Sequence, residues 1–256
     1  MITSTSNTQI KNVINLIKKS KDRKAQGLFV VEGKRMFEET PKERIHSLFV
    51  SESFERANKD SLRGYAYELV ADDVFSHMSD TKTPQGVMAL VKMSEYSIED
   101  MLKGGNPLIM ILENLQDPGN LGTIIRTAEG AGVDGIIMTS GTVDIYNPKV
   151  IRSTMGAMYR MKYAYTDNLK EAAAFLKSRG ITTYAAHLQG AVDYVTCDYK
   201  KGTAFFIGNE GNGLTDEATA LADRKIIIPM MGKLESLNAA VSGAMLMYEA
   251  ARQRRA

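Results

Sequence analysis

The sequence predicts an α/β protein: a larger C-terminal domain built on a parallel sheet, preceded by a smaller α/β domain. Three observations predict it. Short, fully apolar runs of strand length alternate with amphipathic stretches of helical period, as expected of strands buried on both faces. Several of these runs are followed at once by segments rich in Gly, Asn and other small polar residues. A polar stretch ending in two glycines and a proline, SEYSIEDMLKGGNP at 94–107, reads as a linker with a short helix in it. The expected division is therefore residues 1–97, a linker at 98–107, and a second domain at 108–256.

In the first part, Ile10, Val13, Ile14 and Ile17 stand at i, i+3, i+4 and i+7, which predicts a helix with one apolar face. That helix runs into a basic cluster. Residues 11–24 carry Lys11, Lys18, Lys19, Lys21, Arg23 and Lys24 against the single acid Asp22. Such a cluster is either a solvated face near the negative helix end or a contact for a polyanion. LFVV (28–31), SLFVS (47–51), YELV (67–70) and GVMALV (86–91) then read as strands, separated by helical or turn-like segments such as KRMFEET and ADDVFSHM.

The second part repeats strand and helix more clearly. LIMIL (108–112), GIIMT (135–139), residues 163–165, ITTYAA (181–186), TAFFIG (203–208) and KIIIP (225–229) read as strands. Helices are expected from Gly119, from Lys149, over NLKEAAAFLKSRG, over LTDEATALAD, and from Ser236 to the end. The last of these is small and apolar nearly all round through Met247, which suits a core or an interface.

Composition narrows the function classes. With 32 Lys+Arg against 30 Asp+Glu over 256 residues, the formal charge of +2 excludes a protein that holds nucleic acid by bulk charge. The surplus lies wholly in residues 1–97, at 15 against 13, and the remainder is balanced at 17 against 17. One cysteine, Cys197, and three scattered histidines, His46, His77 and His187, show no ligand spacing, so no metal is expected. No apolar run approaches signal or membrane-span length, so a soluble, cytoplasmic protein is expected.

In open parallel sheets ligands bind outside the carboxyl ends of the strands. Four such segments attract attention: 113–122 with Arg126 beyond it, 147–156 with Lys149 and Arg152, 208–213, and 229–238. Any one of these glycines, asparagines or arginines could serve a turn, a helix cap or a surface ion pair, yet all four sit at the same kind of strand end. No GxxxxGK[ST] is present, no GxGxxG follows the first strand of either part, and His187 reads as loop surface.

NLQDPGNLGTIIRTAEGAG (114–132), FIGNEGNGLTDE (206–217) and IPMMGKLESLNAAVSGAM (228–245) resemble, in order and spacing, the three signature motifs of SpoU/TrmH-type RNA 2'-O-ribose methyltransferases. PKVIRSTMGA (148–157) matches a further segment between the first two, with Thr154 where the family more often has Ser. The first 97 residues resemble the RNA-binding extension of many members. The resemblance implies a trefoil-knotted α/β domain, a homodimer, and S-adenosylmethionine as methyl donor. It places the donor on Gly208, Glu210, Gly211, Ile228, Met230, Gly232, Ser236 and Leu237. It makes Arg126, Asn120, Glu210, Ser236 and Asn238 the catalytic set, with Asn120 orienting Arg126 or the ribose. A guanidinium with a pKa above about 12 is a poor proton acceptor, so Arg126 would position phosphate and ribose. Lys18, Lys19, Lys21, Arg23, Lys149 and Arg152 are the candidate RNA contacts. The implied substrate is structured RNA, rRNA of the 23S type ahead of tRNA. A non-catalytic RNA-binding protein on the same scaffold is the alternative from another class.

Overall fold

A computed structural model describes residues 1–188 and 191–255. They form two compact units: Met1–Ser94 with Asp144–Tyr159, and Glu95–Val143 with the chain from Arg160 onward.

The first unit opens with α1 (Thr8–Lys18), whose amino end is capped by the Asn7 side chain accepting from the Gln9 amide. Ile10, Val13, Leu16 and Ile17 of α1 are buried, and Ile14 is partly buried beside them. This is the face the spacing predicts, with Leu16 added. After α2 (Ser20–Gln26) the chain turns at Gly27, in the left-handed region that favours glycine, into β1 (Leu28–Glu32). Then follow α3 (Lys34–Glu39), β2 (Ile45–Ser51), α4 (Glu52–Ala57), β3 (Glu68–Val70), α5 (Asp72–Met78) and β4 (Val87–Lys92). The four strands form one sheet in the order β1-β4-β2-β3, with β4 antiparallel to both neighbours and β2 parallel to β3.

The second unit begins with the short α6 (Ile98–Met101), followed by β5 (Leu108–Leu112), α7 (Pro118–Ala131) and β6 (Gly135–Thr139). The segment carrying α8 (Pro148–Thr154) packs with the first unit. The chain then returns as β7 (Tyr163–Thr166), α9 (Leu169–Ser178), β8 (Thr182–Ala186), β9 (Val192–Asp193), β10 (Thr203–Ile207), α10 (Asp216–Leu221), β11 (Arg224–Ile227) and α11 (Ala239–Arg255). The seven strands are all parallel, in the order β7-β6-β5-β10-β8-β11-β9.

Side chains of a strand alternate between faces, and both faces of β5 are covered. Ile109 and Ile111 join a buried cluster with Met101 of α6 and Ala173 and Leu176 of α9. On the opposite face, a Cβ placed on Gly243 of α11 would lie 3.7 Å from Met110 and 3.8 Å from Ile124 of α7. That burial on two sides is why LIMIL and TAFFI contain no polar side chain that must reach water.

The helices start one to three residues from expectation, and for two of them the cap gives the local reason. α7 is capped by Asp117, whose Oδ1 accepts from the Asn120 amide at 2.8 Å, so the helix includes Pro118. α11 starts at Ala239, because the Asn238 side chain accepts from the amides of Ala240 and Val241 at 2.9 and 3.3 Å. The two-residue β9 is too short to carry a periodic signal.

Candidate active site

Three chain segments leave the carboxyl ends of β5, β10 and β11 and meet in the second unit. The first is anchored by Asn114, which holds a left-handed backbone at φ 53°. Its amide donates to Thr139 Oγ1 at 2.9 Å, and its carbonyl accepts from Asn209 Nδ2 at 2.8 Å. The ends of β5, β6 and β10 are thereby tied together. The second segment folds back on itself: Asn209 and Gly213 exchange backbone hydrogen bonds at 3.0 and 2.9 Å, and the Asn209 side chain accepts from the Gly211 and Asn212 amides. A side chain at Gly208 would overlap the main chain of Gly213 and Leu214, so this turn requires glycine there.

The turn aims Glu210 at the start of α7. Its carboxylate accepts from the amides of Gln116 and Asp117 at 3.1 and 2.9 Å and from Asn120 Nδ2 at 3.0 Å. Asn120 Oδ1 in turn accepts from Asn238 Nδ2 at 2.9 Å. Three side chains from three distant motifs thus form one chain of hydrogen bonds, Glu210 to Asn120 to Asn238, and Asn238 passes it into α11. Partial burial disfavours the Glu210 carboxylate, but the donors from Asn120, Gln116 and Asp117 outweigh it and hold the group below its ordinary pKa.

Beside this network lies a cavity of about 270 Å³. Of the residues expected at the methyl donor, Gly208, Glu210, Gly211, Ile228, Met230, Ser236 and Leu237 line it. Gly232 does not; it stands in open space in the outer part of the 229–238 loop. Sequence reasoning missed His187 and Leu188, which line the same cavity because β8 sits between β10 and β11. Strand order is the information that was lacking. Two properties of the cavity constrain its ligand. Among the described residues its only fully charged side chains are Glu210 and Glu235, with no Lys or Arg. Residues 229–237, running along it, make no backbone–backbone hydrogen bond among the described residues.

The remaining candidates lie elsewhere. Arg126 is an exposed residue of α7 with no hydrogen bond or ion pair among the described residues. Six residues of α-helix place it about 120° around the axis and about 9 Å along it from Asn120. Asn120 is held by Glu210 and Asn238, so it does not orient Arg126 in this chain. Lys149 and Arg152 belong to α8 in the first unit, where Lys149 is exposed and Arg152 lies 3.4 Å from Asp80. Lys18, Lys19 and Lys21 are exposed at the α1–α2 junction. Arg23 is not among them. Its side chain is 4% exposed, donates to the carbonyls of Leu16 and Ile17 at 2.8 and 3.1 Å, and pairs with Asp144. It is a structural cation, turned inward because it satisfies the end of α1. Among the described residues no cluster of three or more His, Cys, Asp or Glu could hold a metal ion, and no helix is long and apolar enough to cross a membrane.

Fold and site together define an α/β protein with a cavity, lined by no Lys or Arg among the described residues, at the strand-end loops of its parallel sheet and next to a hydrogen-bonded polar network. A model of the SpoU rRNA methylase family matches residues 107–248, and a model of the MRM3-like substrate binding domain matches residues 7–89. The chain is 32% identical over 249 residues to the 23S rRNA (guanosine(2553)-2'-O)-methyltransferase RlmP of Bacillus subtilis, spanning 96% of this chain and 97% of that protein. The SpoU methyltransferase AviRb of Streptomyces viridochromogenes, solved in complex with AdoMet, superposes with a TM-score of 0.88 at 26% identity over 98% of this chain and 99% of that one. An AdoMet-bound rRNA methyltransferase of Sinorhizobium meliloti does so with 0.86 at 31% identity over 98% and 97%. This chain belongs to the SpoU rRNA methylase family.

Proposed function

We propose that the protein methylates a ribose 2'-hydroxyl in ribosomal RNA, of the 23S type, with S-adenosylmethionine as donor. The observation that carries the donor assignment is the charge of the cavity: two carboxylates and no Lys or Arg suit a sulfonium cation and would repel the phosphates of ATP or NAD. The unpaired main chain of residues 229–237 and the apolar side chains of Ile207, Ile228 and Leu237 fit an adenosine, with amides and carbonyls for its edge and aliphatic surface for its ring. Full-length similarity to the 23S enzyme, including the N-terminal domain, favours rRNA over tRNA.

The donor supplies an electrophilic methyl group, and the chain's own residues supply geometry. Glu210 fixes Asn120, and Asn120 fixes Asn238 at the mouth of α11, so the polar wall is set before the acceptor ribose arrives. Ser236 stands exposed in the same wall. Arg126 has a guanidinium free to engage RNA phosphate and the developing charge on the 2'-oxygen. Lys18, Lys19, Lys21 and Lys149 contribute phosphate contacts. We further infer a trefoil-knotted second unit, as the family resemblance implies, and a homodimer acting in the cytoplasm. Val241 and Tyr248, seven residues apart on α11 and 47% and 48% exposed, support an apolar face for a second copy.

Pure protein incubated with labelled donor and rRNA should yield alkali-resistant 2'-O-methyl nucleotides. Absence of label in both rRNA and tRNA pools, with donor binding intact, would instead favour a non-catalytic RNA-binding protein.

A further inference from the structure

The first unit has a cavity of its own, of about 280 Å³, which methyl transfer does not use. Its floor is apolar, formed by Phe54 and Phe75, which are 6% and 1% exposed, with Pro84 alongside. Its polar lining is one acid, Asp72, two amides, Asn58 and Gln85, and the serines Ser51, Ser53 and Ser76. Among the described residues no Lys or Arg lines it, and the nearby cations Lys34 and Arg56 are engaged with Asn58 and Asp72. Its size suits a base-sized planar group, at the lower edge of typical ligand pockets of roughly 300 Å³ and above.

The polar groups are held in place and their roles are divided. Gln85 Oε1 accepts from the Lys34 amide at 2.9 Å, and Asn58 Oδ1 accepts from Lys34 Nζ at 2.9 Å. Both amides are thereby oriented with their oxygens toward Lys34, and the Gln85 NH₂, which makes no hydrogen bond among the described residues, is left to donate. The turn that carries Gln85 is fixed by Gly86 at φ +79°, where a side chain would overlap Ser51 and Phe54. Asp72 Oδ1 accepts from Ser53 N and Oγ at 3.0 and 2.8 Å, while Arg56 lies 3.8 Å from Oδ2. A carboxylate has about four acceptor positions, so capacity remains. The Ser53 donors also hold this carboxyl below its ordinary pKa, keeping it an acceptor at neutral pH.

Two acceptor oxygens beside an amide donor select among the bases. Guanine alone presents two adjacent donors, N1–H and the N2 amino group, next to an acceptor, O6. Sequence-specific reading of RNA works on bases splayed out of single-stranded regions and bonded along such edges. We propose that this cavity takes a guanine from an unpaired part of the RNA substrate, Asp72 accepting from N1–H and N2–H and Gln85 Nε2 donating to O6. The proposal rests on the RNA-methyltransferase reading and adds a base-specific site outside the methyl-transfer domain.

The test uses the full chain and heptaribonucleotides of A and U with one central guanosine, inosine or adenosine, followed by fluorescence anisotropy at fixed salt. Guanosine should bind about tenfold more tightly than inosine, which lacks the N2 amino group, or adenosine. Asp72→Asn, which replaces an acceptor with a donor, and Gln85→Ala, which leaves the Ser53 contacts intact, should each remove most of that preference without changing affinity for S-adenosylmethionine. Equal affinities of the wild type for all three oligonucleotides, or a preference that survives in both variants, would overturn the proposal. Methyl transfer to rRNA is measured separately. Equal affinities with methylation intact would reject only the guanine site, whereas loss of methylation would reject the enzymatic reading whatever the oligonucleotides show.

Discussion

Replacing Arg23 by Leu separates a structural cation from an RNA contact, because the two roles predict opposite results. Arg23 is 4% exposed in its side chain and bonds through Nη1 to Leu16 and Ile17 carbonyls, and through Nε and Nη2 to Asp144, which also accepts from Ser20. The substitution strands two carbonyls at the end of α1 and leaves Asp144, 20% exposed, with Ser20 as its hydrogen-bonding side chain. Breaking a buried pair by removing one partner costs about 3–5 kcal/mol, and the partial exposure of Asp144 argues for the lower end, about 3 kcal/mol. For a unit of this size that lowers the midpoint by on the order of 12 °C or more. Urea titration followed by circular dichroism gives the free energy, and a cycle with Asp144→Asn should show coupling above about 1 kcal/mol. In the cold, where the variant is folded, the salt dependence of RNA binding should match wild type. A stability loss below about 1 kcal/mol, or a flattened salt slope like that of a surface lysine variant, would refute the assignment.

Lys18, Lys19 and Lys21 changed together to Gln should weaken RNA binding and flatten the slope of log K against log salt by roughly 2, given about 0.7–0.9 per neutralised phosphate; an unchanged slope returns them to a solvated face. Arg126→Ala should lower kcat at least about 100-fold with the affinity for S-adenosylmethionine unchanged, which equilibrium dialysis checks; full activity would remove Arg126 from the reaction. Glu210→Gln tests the network through pH. The folded-state pKa is lowered from that of a free glutamate, so the stability that Glu210 confers is complete above the free value and is lost as pH falls through the folded-state value. The stability difference between wild type and Glu210→Gln should therefore be constant near neutrality and shrink in acid.

The strands were legible because burial on two faces leaves little room for polar residues: every residue of Leu108–Leu112 and of Thr203–Ile207 is buried, and the one polar side chain, Thr203, bonds to main-chain carbonyls. The strand-end loops were legible because tight turns and helix caps enrich them in Gly, Asn and Pro. What escaped were facts about which distant segments meet. Arg23 looked like one more cation in a basic run, and its partner stands 121 residues away. His187 looked like loop surface until the strand order brought β8 between the strands carrying the second and third motifs. Ile145, Tyr146, Val150 and Ile151 were recognisably apolar, but that they are buried in the first unit, with Tyr146 4.5 Å from Phe29 between ring centroids, is a tertiary choice no local pattern encodes.

The two halves of the candidate site distribute their chemistry differently, and this determines which substitutions they can bear. Along the cavity, the outer loop offers main-chain groups beside the side chains of Met230, Glu235, Ser236 and Leu237, while Met231 and Leu234, 98% and 73% exposed, are not part of the lining. Met231 and Leu234 can change with little effect on donor binding so long as the backbone path is kept. The polar wall has no such latitude. Glu210, Asn120 and Asn238 lie 90 and 118 residues apart pairwise through Asn120, and Asn120 is the one link that joins Glu210, anchored on the Gln116 and Asp117 amides, to Asn238, anchored on α11. An Asn is needed at 120 because one group donates to Glu210 while the other accepts from Asn238; Asp there would lose the donor and face a carboxylate, and Leu would lose both. Asn120→Asp should consequently weaken the registry of all three loops at once, donor affinity and turnover falling together, whereas substitution at Met231 should leave both unchanged.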